Sequence, residues 1–187
     1  SRHFIPVFFG DTLIVNGGHL RPLNPPDTKG MSRSYMLGRK TAEQYHKALK
    51  EYLPDAFRDS YLAETAPLMG VRESRRIKGK YTLTLEDYVS RRSFSDEIAR
   101  NSYWLYCHPS GNEEKTIQVN PDDNYKKGDS HGIPFRCLIP ENISNLLVAG
   151  RCISVERIVL SSTRVMPNCL ATGEAAGIAA TLAIKEN

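Results

Sequence analysis

The sequence has no apolar run approaching the roughly 18–20 residues that span a bilayer, so no membrane-crossing helix is expected. It has no CxxC pair. Cys107, Cys137, Cys152 and Cys169 stand far apart, which argues against a zinc knuckle or a local iron–sulfur motif. No HExxH, P-loop or Ser-His-Asp pattern occurs, and no metal site is expected. Long basic runs are missing as well. The longest are pairs (Arg75-Arg76, Arg91-Arg92, Lys126-Lys127), so the net charge of +4 reads as a solvated surface and not as a nucleic-acid stripe. There is no internal repeat, heptad, low-complexity tract or signal-peptide pattern. With no initiator Met, Ser1 is expected to be a processing or fragment boundary. Dispersed single cysteines fit a reducing compartment, and the cytoplasm is the expected location.

What is present is the composition of an ordinary globular chain, 40% hydrophobic and 25% charged, patterned as mixed α/β. Phe4 to Phe9 and Thr12 to Val15 are β-rich runs flanking Gly10-Asp11, which predicts a hairpin. The proline-rich stretch 19–30 predicts a loop. Tyr35, Leu37, Ala42, Tyr45, Ala48, Leu49 and Tyr52 line one face of a long helix, capped by Ser32 or Ser34 and stopped by Pro54. Residues 60–66 and 71–77 read as strands, and 80–83 as a short one. Thr84 with Asp87 three residues on reads as a capping-box helix start. Residues 95–101 suggest a helical turn or two, 103–107 a strand, and 109–132 a polar loop.

The last fifty residues differ in character. Asn145-Leu146-Leu147-Val148-Ala149-Gly150 is a continuous apolar run, the pattern of a strand buried on both faces of a parallel sheet. A connection bearing Ser154 and Arg164 leads to a helix from about Pro167 to Lys185. Pro167 suits its first turn, where a missing N–H costs nothing. Gly173 and Gly177 inside that helix each cost roughly 1 kcal/mol relative to alanine. Such residues are kept where another backbone or a flat ligand comes close. The N-terminal end of the helix carries unpaired N–H groups and the positive pole of its dipole, suited to an electron-rich edge or an anion.

This block resembles the C-terminal segment of two-domain FAD-dependent oxidoreductases. Two further stretches carry the same resemblance: Gly70-Val71-Arg72-Glu73-Ser74-Arg75-Arg76-Ile77 with Gly79-Lys80-Tyr81-Thr82-Leu83-Thr84, and Ile133-Pro134-Phe135-Arg136-Cys137-Leu138-Ile139-Pro140, which has Phe135 where tyrosine is usual. The resemblance implies FAD as cofactor. It implies contacts to that cofactor from Gly150, Arg151, Ile153, Ser154, Arg164, Val165, Met166, Ala171, Thr172, Gly173 and Ala176. The apolar strand would belong to a Rossmann-like FAD domain, with the last helix aimed at the pyrimidine edge of the isoalloxazine. Two departures stand out. Residues 155–161 are bulkier than the corresponding stretch of many relatives. No Gly-x-Gly-x-x-Gly follows a strand, so the pyrophosphate cradle is expected from an N-terminal segment outside this chain.

On the substrate side, Arg72 and Arg76 share one face if 71–77 is a strand, and with Arg136 they could orient a small anionic substrate. The bland reading is internal ion pairing, with Glu73 among the acids. His108 is a candidate acid/base group, weighed against a turn or surface role. The expected architecture is a substrate-side sheet and long helix over 1–140, then the strand and helix of the FAD domain over 141–187. A closing piece of that kind would expose apolar surface, which a homodimer would cover. The competing reading is a non-catalytic binding or interaction domain of flavoprotein ancestry that holds no cofactor.

Overall fold

The computed structural model describes residues 5–17, 20, 27–106 and 125–186. The chain divides into two compact units, 1–71 and 72–187. Among the described residues no helix is long and apolar enough to cross a membrane.

The first unit opens with the expected hairpin. Strands β1 (Ile5–Phe9) and β2 (Thr12–Asn16) pair antiparallel, with Phe9 opposite Thr12 and Ile5 opposite Asn16. The two-residue turn needs positive φ at its first position, and Gly10 supplies +57°. Helix α1 (Thr28–Tyr52) starts earlier than Ser32 or Ser34 because Asp27 caps it, accepting from Lys29 N–H at 3.1 Å. Ser32 lies within the helix, where its hydroxyl donates to the Thr28 carbonyl. Pro54 ends α1 and opens the single turn α2 (Pro54–Phe57). Residues 60–66 form no ladder, contrary to expectation. Their start is tied to α1 by side chains: His46 Nε2 pairs with the Ser60 hydroxyl at 3.0 Å, and Lys50 donates to the Ser60 carbonyl.

The second unit holds the core, built from Leu83, Tyr88, Leu105, Ile133, Cys137, Leu138, Ile153, Val155, Val159 and Leu160. Helix α3 (Leu85–Val89) begins with the expected capping box of Thr84 and Asp87. Strand β3 (Glu97–Asn101) pairs antiparallel with β4 (His131–Pro134), with a bulge between Glu97 and Ala99. The helical reading of 95–101 is therefore corrected. A partner some thirty residues away decides this stretch, and local pattern does not register it. Residues 71–77 and 80–83 join no ladder. Ile77 N–H bonds the Cys152 carbonyl, and Leu83 makes a lone parallel bridge to Val155.

The apolar run 145–150 is also corrected, since it joins no sheet among the described residues. Left-handed backbone at Asn145 (φ +59°) and Gly150 (φ +81°) brackets it, and Leu146 remains 43% exposed. A parallel strand needs neighbours bonded along its length, whereas this run is tied through Val148 N–H to the Leu138 carbonyl. Beyond it lie a 3-10 turn at Gly150–Cys152, an unforeseen helix α4 (Arg157–Thr163), and α5 (Met166–Glu186). The bulky 155–161 stretch is accounted for here, because Val159 and Leu160 are fully buried on α4.

His131 sits in the core at the start of β4, fully buried beside Tyr88 and Tyr125. The Tyr125 hydroxyl lies within hydrogen-bonding reach of both the Tyr88 carbonyl and Nδ1 of His131. Nε2 is buried without a hydrogen bond. Burial lowers this imidazole to about 4, with Arg100 and Arg91 reinforcing the shift against Asp87. Above pH 6.5 folded and unfolded chains both hold it neutral. Between pH 6.5 and about 4 the unfolded chain takes up a proton that the folded chain refuses, so stability falls as pH falls. We expect a loss of about 3 kcal/mol across that window. Thermal melts between pH 8 and 4 should show this acid limb, and His131→Gln should flatten it.

Candidate functional site

Three stretches remote in sequence meet around Ser154. Ser154 N–H donates to the Cys137 carbonyl (2.9 Å), and Leu83 N–H donates to the Ser154 carbonyl (3.2 Å). Lys80 N–H reaches the Ile139 carbonyl, and Glu156 N–H returns to the Leu83 carbonyl. The Ser154 hydroxyl shares a hydrogen bond with that of Thr82 at 2.9 Å. Gly79 makes this closeness feasible. A Cβ there would lie 2.7 Å from the Ser154 Cβ and 3.2 Å from the carbonyl oxygens of Arg136 and Ile139. Ile153 and Ser154, both expected beside a cofactor, are about 1% exposed and turn into this junction.

The chain next makes the Gly150–Cys152 turn and passes through α4 to α5. Gly150 holds φ +81°, with open space where a Cβ would stand. Its N–H donates to the Thr172 hydroxyl (3.0 Å), which donates onward within α5 to the Asn168 carbonyl. A buried side-chain network fixes the start of α5. Asn168 donates to Asn101 Oδ1 at 2.9 Å, Asn101 donates to the Ser162 hydroxyl at 2.7 Å, and Ser162 donates to the Tyr103 carbonyl. Asn168 and Thr172 therefore face inward, with Ala176 against the core.

The opposite face of α5 carries Gly173 and Gly177, with nothing within 4 Å of either missing Cβ. Glu174, Gly177, Ile178, Thr181 and Leu182 line a shallow cleft on that side. At the helix start, Cys169 N–H reaches back to the Val165 carbonyl (3.1 Å). Pro167 has no N–H, so the end presents the N–H groups of Met166 and Asn168. Met166, the first residue of α5, is 80% exposed. Ala171 and Val165 are half-buried, and Arg151 is exposed on the adjoining turn.

Arg164 ends α4 with its side chain 9% exposed. It donates to the Tyr106 carbonyl at 3.0 Å, and Glu73 Oε2 lies 4.0 Å away. The other cations are placed differently. Arg136 is committed to Asp96 (Nε–Oδ2 2.9 Å, Nη2–Oδ1 3.2 Å) and lies over the Tyr81 ring. Its hydrogen bond to Arg136 holds the Asp96 carboxyl below the usual range. Arg72 is exposed and Arg76 half-buried. His108 lies outside the described residues. The Cys137 thiol is pushed up to about 12 by burial, and Cys169 also rises for that reason, so neither is poised as a thiolate nucleophile.

The arrangement suits a flat group with an electron-rich edge. It has a helix end with N–H donors, a glycine turn beside it, and a small-residue face left open. Sequence reading named most of these residues. It missed the Asn101–Ser162–Asn168 network, for which an asparagine directly after Met-Pro was the available signal, and it missed Glu73 as the partner of Arg164.

Gly79→Ala should cost about 1–3 kcal/mol by forcing apart the segments around Ser154. Urea titration of the purified protein measures it. Thr172→Val should cost a similar amount, roughly 1–3 kcal/mol, because Gly150 N–H loses its acceptor. Local hydrogen exchange at Gly150 should rise in that variant.

A family model described as FAD dependent oxidoreductase matches residues 8–187. Nothing among the curated proteins or the solved structures matches the chain.

Proposed function

We propose the function from the premise that this chain belongs to the family of FAD-dependent oxidoreductases: it supplies the flavin-edge and substrate-side parts of an enzyme transferring hydride between a small organic substrate and FAD. The observation that carries this reading is the exposed end of α5, locked against the Gly150 turn by the Gly150–Thr172 hydrogen bond, beside a glycine face that nothing covers.

Members of the family bind FAD. When bound, FAD supplies a two-electron acceptor for hydride. In this chain, the N–H groups of Met166 and Asn168 would hold the electron-rich edge, helped by the positive pole of α5. Gly150, Arg151, Val165, Ala171 and Gly173 would border it without bulky atoms in the way. Arg164 adds a fixed positive charge at the same end. Ile153, Ser154, Thr172 and Ala176 act from beneath, as the framework that holds those groups in place. Arg72 and Arg76 are the cations we assign to an anionic substrate, while Arg136 orients the Asp96 corner. We retain His108 as the acid/base candidate.

In this reading 1–140 serves the substrate side and 141–187 is the Rossmann-like closing piece. The pyrophosphate cradle comes from polypeptide beyond these residues, since no Gly-x-Gly-x-x-Gly is present. That same polypeptide covers the open face of α5, a role a second copy would take in its absence. The free thiols of Cys137, Cys152 and Cys169 fit a cytoplasmic setting.

Flavin titration tests this. Residues 1–187 alone should bind FAD weakly or not at all. The protein expressed from its whole gene should purify yellow, with flavin absorption and one FAD per chain. A colourless whole protein that takes up no added FAD would overturn the oxidoreductase reading in favour of a cofactor-free interaction domain.

A further inference from the structure

Glu73 precedes one of the three stretches that meet at Ser154, and its side chain is set against α4. Its carboxylate lies between two guanidiniums from opposite ends of α4. Oε1 is 3.7 Å from Nε of Arg157, the first residue of the helix, and Oε2 is 4.0 Å from Nη1 of Arg164, the residue that follows it. Residues seven apart share a helix face about 10 Å along the axis. One carboxylate reaching toward both therefore lies lengthwise against α4.

The two arginines differ in burial, with side-chain exposures of 30% for Arg157 and 9% for Arg164. A guanidinium so far removed from water needs a counter-charge, and Glu73 is set against it. Oε2 is itself buried and accepts no hydrogen bond. At 3.7 and 4.0 Å these two contacts of the carboxylate are longer than hydrogen bonds and act through charge. On its other side Arg164 is tied to the Tyr106 carbonyl at 3.0 Å. The guanidinium is thus suspended between a carbonyl and a carboxylate. Arg164 directly precedes Val165, whose carbonyl accepts the first intrahelical hydrogen bond of α5, from Cys169 N–H.

We infer that Glu73 is a positioning residue for the flavin edge: through Arg157 and Arg164 its carboxylate fixes both ends of α4, and with them the first turn of α5, while offsetting the positive charge of Arg164 there. This rests on the reading of α5 given under Proposed function. It gives Glu73 an electrostatic role that packing alone would not. Removing its charge while keeping its shape takes one negative charge away from beside Arg164. Loss of a nearby negative charge favours the electron-rich, reduced form of a bound flavin.

The experiment uses the whole protein with its flavin, and compares Glu73→Gln, Glu73→Asp and Arg164→Lys. Three quantities are measured: FAD affinity by fluorescence quenching, the two-electron midpoint potential, and the melting temperature of the flavin-free protein. Glu73→Gln should weaken FAD binding about tenfold. It should also raise the midpoint potential by about 30 mV, which is a tenfold shift of a two-electron equilibrium. Glu73→Asp, which keeps the charge, should return both toward wild type.

A Glu73→Gln protein that melts lower but keeps its FAD affinity and potential would overturn the inference and leave Glu73 a stability residue. If Arg164→Lys changes the flavin properties and Glu73→Gln does not, the positioning role fails while the site reading stands. If neither variant moves them, the placement of α5 at the flavin fails as well. Should Glu73→Gln not fold, Arg157→Gln replaces it. That variant removes one end of the clamp, and unchanged FAD affinity in it would count against the proposal.

Discussion

The second unit depends on a backbone weave at Ser154 that closes with almost no spare room. Three segments, 77–83, 137–140 and 153–156, exchange main-chain hydrogen bonds without forming a regular sheet. Such segments can lie so close only where one of them lacks a side chain, and Gly79 is that position. The weave buries Ile153 and Val155 beside Leu83 and Leu138, so it is also the centre of the core. Everything C-terminal to it, from α4 to α5, is launched from a fixed point.

A second constraint sets the orientation of what is launched. Asn101, Ser162 and Asn168 come from β3, α4 and α5, and their side chains satisfy one another in the interior. Buried polar groups of this kind are costly unless every member finds a partner. The network therefore selects one rotation of α5 about its axis. In that rotation Thr172 meets Gly150 and the glycines turn outward. The charges follow the same logic. Arg136 and Arg92 are paired with Asp96 and Asp87, and Arg164 is drawn between Tyr106 and Glu73. The exposed end of α5 is thus set by residues buried beneath it.

Local chemistry was legible wherever one short stretch carries the whole instruction. The Gly10-Asp11 hairpin, the Thr84–Asp87 capping box, the stop at Pro54 and the small-residue helix opened by Met166-Pro167 are all of this kind. Strand assignments fared worse. Residues 95–101 became a strand because β4 lies alongside, and 145–150 failed to become one because no described segment pairs along it. Strand character depends on neighbours, and neighbours are not written into a window of six residues.

Sequence alone determined the family, through three motifs whose spacing spans most of the chain, and it determined which helix would carry the glycines. Only the tertiary structure decided which face of that helix is free, that Ile153 and Ser154 turn inward, and that Glu73 answers Arg157 and Arg164 instead of its immediate neighbours. The physical reason is range. Turns, caps and helix stops act over about four residues. Close approach, ion pairing and buried hydrogen bonds act across space, between groups whose separation along the chain carries no trace of their contact.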